Sequence, residues 1–177
     1  MKIALAQINP TVGDFTGNTK KILEFATRAA EQGVGLVVFP ELCVCGYPPA
    51  DFLEKSAFVE RAVQAVDEIA AWTGTPGRPA LLVGSVMPAA SQVGKRVSNA
   101  AILLADGKRA FVQQKMLLPF YDVFDEQRYF EPAASQSLTF VGDQPVAITI
   151  CEDAWNDKDF WPRQLYPVDP VNALMQQ

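Results

Sequence analysis

Apolar and polar positions along the chain follow two different periods. Residues 34–39 and 80–86 are nearly continuous apolar runs, the pattern of strands buried on both faces. Around them, apolar residues recur at helical spacing: Ile22, Phe25, Ala26 and Ala29 within 18–32, then Val59, Ala62, Val63, Val66, Ile69 and Ala70 within 56–72. Each set falls on one face of a helix. Asn18 or Asp14 is placed to cap the first helix and Gly33 to end it. Residues 2–8 read as a leading strand stopped by Asn9-Pro10. Segments 99–104 and 109–114 flank Ala105-Asp106-Gly107-Lys108, and Asp-Gly is a strong hairpin signal. Two more short strands, 138–141 and 146–150, surround Gly142-Asp143.

The order β-α-β-α-β, then a hairpin, then further strands predicts helices against a sheet of parallel and antiparallel strands. That is a layered α/β or α+β fold. Residues 1–177 fit a single domain. Segment 116–137 is a long loop carrying Phe120, Tyr121, Phe124, Tyr129 and Phe130, and long ordered loops in compact domains are often functional. Residues 170–177 begin like a helix, with Asp169 as cap and Pro170 in the first turn. The pattern then stops without a closing signal, as in a truncated domain.

Composition narrows the function. The net charge of -5 argues against a nucleic-acid surface or an anionic membrane, since both need a basic footprint. No apolar stretch is long enough to span a bilayer. The N-terminus lacks the long apolar core and small-residue cleavage site of a secretory signal, so a cytoplasmic location is expected. Cys43, Cys45 and Cys151 are too sparse for a disulfide framework. Cys43-x-Cys45 is a weak metal hint without a second pair, and no metal site is expected. The chain contains no His, which excludes Ser–His–acid and Cys–His mechanisms and His-bearing zinc sites. Any nucleophile must therefore use a carboxylate or an amine as its base.

Three polar residues close apolar strands: Glu41 after 34–39 and Pro40, Lys115 at the end of the hairpin, and Cys151 after 146–150. Strand ends are where distant segments converge on one pocket. A thiol that attacks a carbonyl, a carboxylate that takes its proton and an ammonium that favours thiolate and oxyanion suffice for acyl transfer. Each also has an ordinary explanation. A cysteine closing an apolar strand is usually inert core, a Glu after Pro is usually a solvated turn residue, and a Lys on an edge strand usually prevents sheet-to-sheet pairing.

Local context distinguishes these readings. The chain carries Val37-Val38-Phe39-Pro40-Glu41-Leu42 followed by Gly46-Tyr47-Pro48-Pro49 and Asp51-Phe52-Leu53. It then carries Lys115-x-x-Leu118-Pro119-x-Tyr121-x-Val123-Phe124-Asp125-Glu126-x-Arg128-Tyr129-Phe130, and finally Ile150-Cys151-Glu152-Asp153-Ala154-Trp155. In these blocks and their order it resembles the nitrilase, or carbon–nitrogen hydrolase, superfamily, and specifically the glutaminase domain of glutamine-dependent NAD synthetases. The resemblance runs over essentially all of the chain. It implies an α-β-β-α sandwich, here incomplete at the C-terminus, with Cys151 as nucleophile, Glu41 as general base and Lys115 as cationic partner. Glu126 matches a second carboxylate that orients the catalytic group or substrate, and Tyr121 and Glu152 match positions that contact glutamine. The implied reaction hydrolyses the glutamine side-chain amide through a Cys thioester, supplying ammonia for ATP-dependent amidation of deamido-NAD. No cofactor is implied for the glutaminase step. ATP, Mg2+ and deamido-NAD belong to a synthetase domain expected downstream, and the chain has no Ser-Gly-Gly-x-Asp-Ser loop for it. A homo-oligomer is also implied. The competing expectations are an ω-amidase or carbamoyl amidase, or an inactive assembly fragment.

Overall fold

The computed structural model describes residues 1–157 and 159–177. Strands β1 (Ile3–Leu5), β2 (Leu36–Val38), β3 (Ala80–Pro88), β4 (Val97–Ala105) and β5 (Lys108–Gln114) form one sheet in that spatial order. β1, β2 and β3 pair in parallel because helices carry the chain back between them, α1 (Phe15–Ala30) and α2 (Ser56–Thr73). β3 to β5 then pair antiparallel. The β4–β5 turn is the expected Asp106-Gly107 pair, both residues at positive φ (52° and 78°), the backbone of a two-residue hairpin whose twist matches its strands.

Asp14, rather than Asn18, caps α1, accepting from Gly17 N at 2.9 Å. Asn18 is fully buried and serves the neighbouring loops, its Nδ2 donating to Thr11 O at 2.8 Å and Val44 O at 3.1 Å. Ile22, Ala26, Ala62, Val66 and Ile69 pack with Val37, Leu81, Val83, Ile102 and Leu104 in one apolar core, and Phe15 meets Phe58 edge-on at 5.0 Å. The chain thus forms a mixed α/β fold in which α1 and α2 pack on one main sheet. On β1, Ile3 and Leu5 remain exposed.

The strand expected at 146–150 is only partly realised. Its ladder is confined to β7 (Gln144–Val146), which pairs with β6 (Thr139–Val141). Beyond it, Ile148 and Ile150 are buried against Ala101, Leu82 and Phe111. The alternation reflects burial on the second face of the main sheet, whereas a ladder needs a backbone neighbour as well. The 116–137 loop is stitched down by α3 (Glu126–Tyr129), by a bridge between Val97 and Phe130, and by Ala133 N donating to Lys115 O at 2.9 Å. The expected terminal helix is α4 (Pro170–Met175), capped by Asp169, which accepts from Asn172 N at 3.0 Å.

Candidate active site

Glu41 follows β2 at a sharp turn in which Leu42 has φ 51°. This turn lies directly on β3. A Cβ at Gly84 would sit 2.3 Å from Leu42 N and 2.9 Å from Glu41 Cα, so only glycine lets the two backbones approach so closely. Val44 N donates to Gly84 O at 3.0 Å and fixes that approach.

Lys115 continues the β4–β5 register one residue past β5, its N–H donating to Asn99 O at 2.8 Å. Its side chain is fully buried. Nζ donates to Glu41 Oε1 at 2.7 Å and to Glu126 Oε2 and Oε1 at 2.9 and 3.1 Å. Burial alone would lower the lysine's pKa, but Glu41 and Glu126 outweigh it and hold the ammonium charged above its usual range. Burial raises the Glu126 carboxyl, and Lys115 offsets this only in part. Tyr47 OH also donates to Glu126 Oε1, at 3.3 Å, and burial first, then Glu126 and Glu41, push its phenol upward. Glu126 is thus committed to Lys115, while Arg128 reaches Asp51 at 3.6 Å instead.

Cys151 is exposed, with φ 46°, a conformation uncommon for a residue with a side chain and typical of functional turns. It opens a single 3-10 turn over Cys151–Ala154. A cavity of about 120 Å³ is lined by Glu41, Gly84, Asn99, Ile148, Ile150 and Cys151 among others, so base, amide and thiol border one space. Burial pushes the Cys151 thiol above its usual range, Glu41 adds to the rise, and Lys115 opposes it. The thiol therefore keeps its proton at neutral pH until a base removes it.

Glu152 is buried and held by two phenols, Tyr121 OH at 2.7 Å and Tyr166 OH at 3.0 Å. That bond to Glu152 is the main reason the Tyr121 phenol rises to about 12. Tyr121, Glu152, Trp155, Trp161, Leu165 and Tyr166 help line an adjoining cavity of about 290 Å³, near the lower end of the roughly 300–1,000 Å³ usual for small-molecule sites. All six residues singled out in the sequence therefore lie in one region, with Glu41 and Cys151 on the smaller cavity and Tyr121 and Glu152 on the larger.

Four contributors were given no role from the sequence: Gly84, Asn99, Tyr166 and Asp153, the last although it lies in the block around Cys151. Asp153 is fully buried, Oδ1 accepting from Met116 N (3.0 Å) and Leu117 N (2.8 Å), Oδ2 from Ile150 N (3.1 Å) and Gln136 Nε2 (2.8 Å). It ties the segment after Lys115 to the turn that presents Cys151. Burial raises its carboxyl, and these four donors work against the rise. Asp153→Asn would turn one acceptor into a donor facing two donors. Denaturant unfolding is expected to show a loss of about 1–3 kcal/mol, the usual cost of stranding a buried donor. An unchanged midpoint would refute the clamp. Among the described residues, no group of three or more His, Cys, Asp or Glu is arranged to hold a metal ion, and no helix is long and apolar enough to cross a membrane.

Residues 2–161 match the family model for carbon–nitrogen hydrolases. A glutamine-dependent NAD(+) synthetase from Synechocystis sp. is 42% identical over 178 residues, covering 99% of this chain and 32% of that protein. A glutamine-dependent NAD+ synthetase from Acinetobacter baumannii, solved with adenosine diphosphate, superposes with a TM-score of 0.73 at 33% identity, over 86% of this chain and 28% of its own. An amidase variant from Nesterenkonia sp. AN1, solved with the acetamide moiety of fluoroacetamide covalently added at its active-site cysteine, gives 0.71 at 26% identity, over 87% and 56%. The chain spans about a third of the length of the curated synthetase from Synechocystis that it matches.

Proposed function

The chain belongs to the carbon–nitrogen hydrolase family, and from that premise we propose that it hydrolyses the side-chain amide of glutamine through a thioester on Cys151, with Glu41 as general base. The observation that carries this reading is Lys115 Nζ, buried and bonded to Glu41 and Glu126 together, while Glu41 and Cys151 line one cavity. Cys151 Sγ attacks the amide carbon as Glu41 accepts the thiol proton. Of the three ammonium N–H groups of Lys115, one points to Glu41 and one is shared across Glu126, leaving a third for the oxyanion, beside the backbone N–H of Glu152. One such donor is typically worth about 3–4 kcal/mol of barrier. As the tetrahedral adduct collapses, the C–N bond breaks and Glu41 returns the proton to the leaving nitrogen, releasing ammonia. Water, deprotonated by Glu41, then attacks the thioester, giving glutamate and the free thiol.

Glu152 and Tyr121 supply what distinguishes glutamine from a simple amide. A buried carboxylate held by two phenols, one residue from the nucleophile, suits the α-ammonium of an amino acid. The relatives' name, glutamine-dependent NAD(+) synthetase, supports NAD synthesis as the destination of the ammonia; we further propose that the step it feeds is an ATP- and Mg2+-dependent amidation of deamido-NAD on a synthetase domain. The test is a panel in which ammonia release is followed for glutamine, its des-amino analogue and acetamide. Glutamine is expected to lead by about 100-fold or more in kcat/KM, as for a site whose buried polar groups the analogues leave unpaired. Equal turnover of the des-amino amide would favour the ω-amidase reading instead.

A further inference from the structure

We propose that Asn99 is a positioning residue that divides the two oxygens of Glu41, holding Oε1 so that Oε2 alone exchanges the proton with Cys151. This rests on the assignment of Glu41 as base. Asn99 lies in the apolar strand β4, is 1% exposed, and donates from Nδ2 to Glu41 Oε1 at 2.6 Å. The amide orientation is forced, because a carboxylate only accepts. Lys115 Nζ donates to the same oxygen at 2.7 Å. Among the described residues no donor reaches Oε2.

The two donors come from paired positions of one hairpin, Lys115 N–H also donating to Asn99 O at 2.8 Å. They therefore reach Oε1 as a unit fixed by the β4–β5 register. Two donors on one oxygen draw negative charge onto it and fix the carboxylate's rotation. The other oxygen is left without a donor among the described residues, and Glu41 lines the cavity that Cys151 shares. Asn99 Oδ1 is buried without a partner among the described residues. An amide retained only for packing would have both ends satisfied, so the Nδ2 bond is the reason for a polar residue here.

The test compares Asn99→Ala and Asn99→Asp with the parent in the intact protein, by single-turnover thioester formation from glutamine across pH. The groups facing Glu41 and its partners are Lys115, Glu126, Tyr47, Cys151 and Glu152, and all stay in place in both variants. A carboxylate that loses a donor holds its proton more tightly, and a neighbouring carboxylate strengthens this further. The acidic limb of the acylation rate is therefore expected to move to higher pH in Asn99→Ala and further in Asn99→Asp. In Asn99→Ala the maximal rate should fall about 10- to 100-fold, the effect of removing a hydrogen bond to a charged group, with KM little changed. Placed on a Glu41→Gln background, Asn99→Ala should cost almost nothing more, because residues acting through one group are not additive.

An unmoved acidic limb, a full additional loss on the Glu41→Gln background, or unfolding of both variants would each overturn the proposal. Normal acylation by Glu41→Gln alone is a separate result that would remove the base assignment itself.

Discussion

Cys151→Ala is expected to abolish ammonia release from glutamine while glutamine still binds. The argument concerns the alternatives as much as the residue. The other two thiols, Cys43 and Cys45, are fully buried, and burial pushes both up to about 12. Their sulfurs face backbone carbonyls, Gly84 O at 3.6 Å and Leu42 O at 3.7 Å, so neither can take over as nucleophile. The Cys151 side chain is exposed at the turn, and truncating it removes no packed core atom. The variant should melt like the parent and retain the cavity beside Tyr121 and Glu152. Turnover should fall by about 10⁴-fold or more, the range for removal of a covalent nucleophile. Calorimetric titration with glutamine separates lost chemistry from lost binding. An alanine variant that still releases ammonia at a measurable fraction of the parent rate would exclude Cys151 as nucleophile.

How the site was legible varied with the kind of signal. Glu41, Lys115 and Cys151 drew notice as polar residues closing segments that read as strands, but each had an ordinary explanation on its own, and only the three sequence blocks in their order set them apart. The α2 helix and the Asp106-Gly107 hairpin were readable because their patterns are local: one face at helical spacing, and one dipeptide suited to positive φ. Asn99 was not, since a single amide inside 97–105 looks like a tolerated polar residue until Glu41, 58 positions earlier, is found on it. Gly84 and Asp153 failed for the same reason. One is needed because another backbone lies against it, and the other collects donors from segments up to 37 residues away. Segment 146–150 shows the converse limit: alternation identified which residues are buried, but it contains no information on whether a neighbouring strand is present to complete a ladder.

Glu41→Gln is expected to separate two properties of Cys151 that ordinarily travel together. Glutamine is nearly isosteric with glutamate, and its carbonyl oxygen can still accept from Lys115 and Asn99 in place of Oε1. The second oxygen, however, becomes an amide N–H2, a donor that can neither take the thiol proton nor return it to the leaving nitrogen. Thioester formation should fall by about 10²- to 10⁴-fold, the usual contribution of a positioned base, with glutamine binding retained. The electrostatics run the other way. In the parent protein Glu41 raises the Cys151 thiol and Lys115 lowers it. Removing the Glu41 charge while keeping the ammonium moves the thiol downward, so more thiolate is present at any pH below that of half-ionisation. Alkylation of Cys151 by iodoacetamide, which needs thiolate but no proton donor, should therefore become faster near neutral pH while acylation by glutamine becomes slower. The pair of rates is measured on the same protein by mass spectrometry. If both fall together, Glu41 acts through folding or access to the cavity; if acylation is unchanged, the proton leaves Cys151 by a route that does not include Glu41.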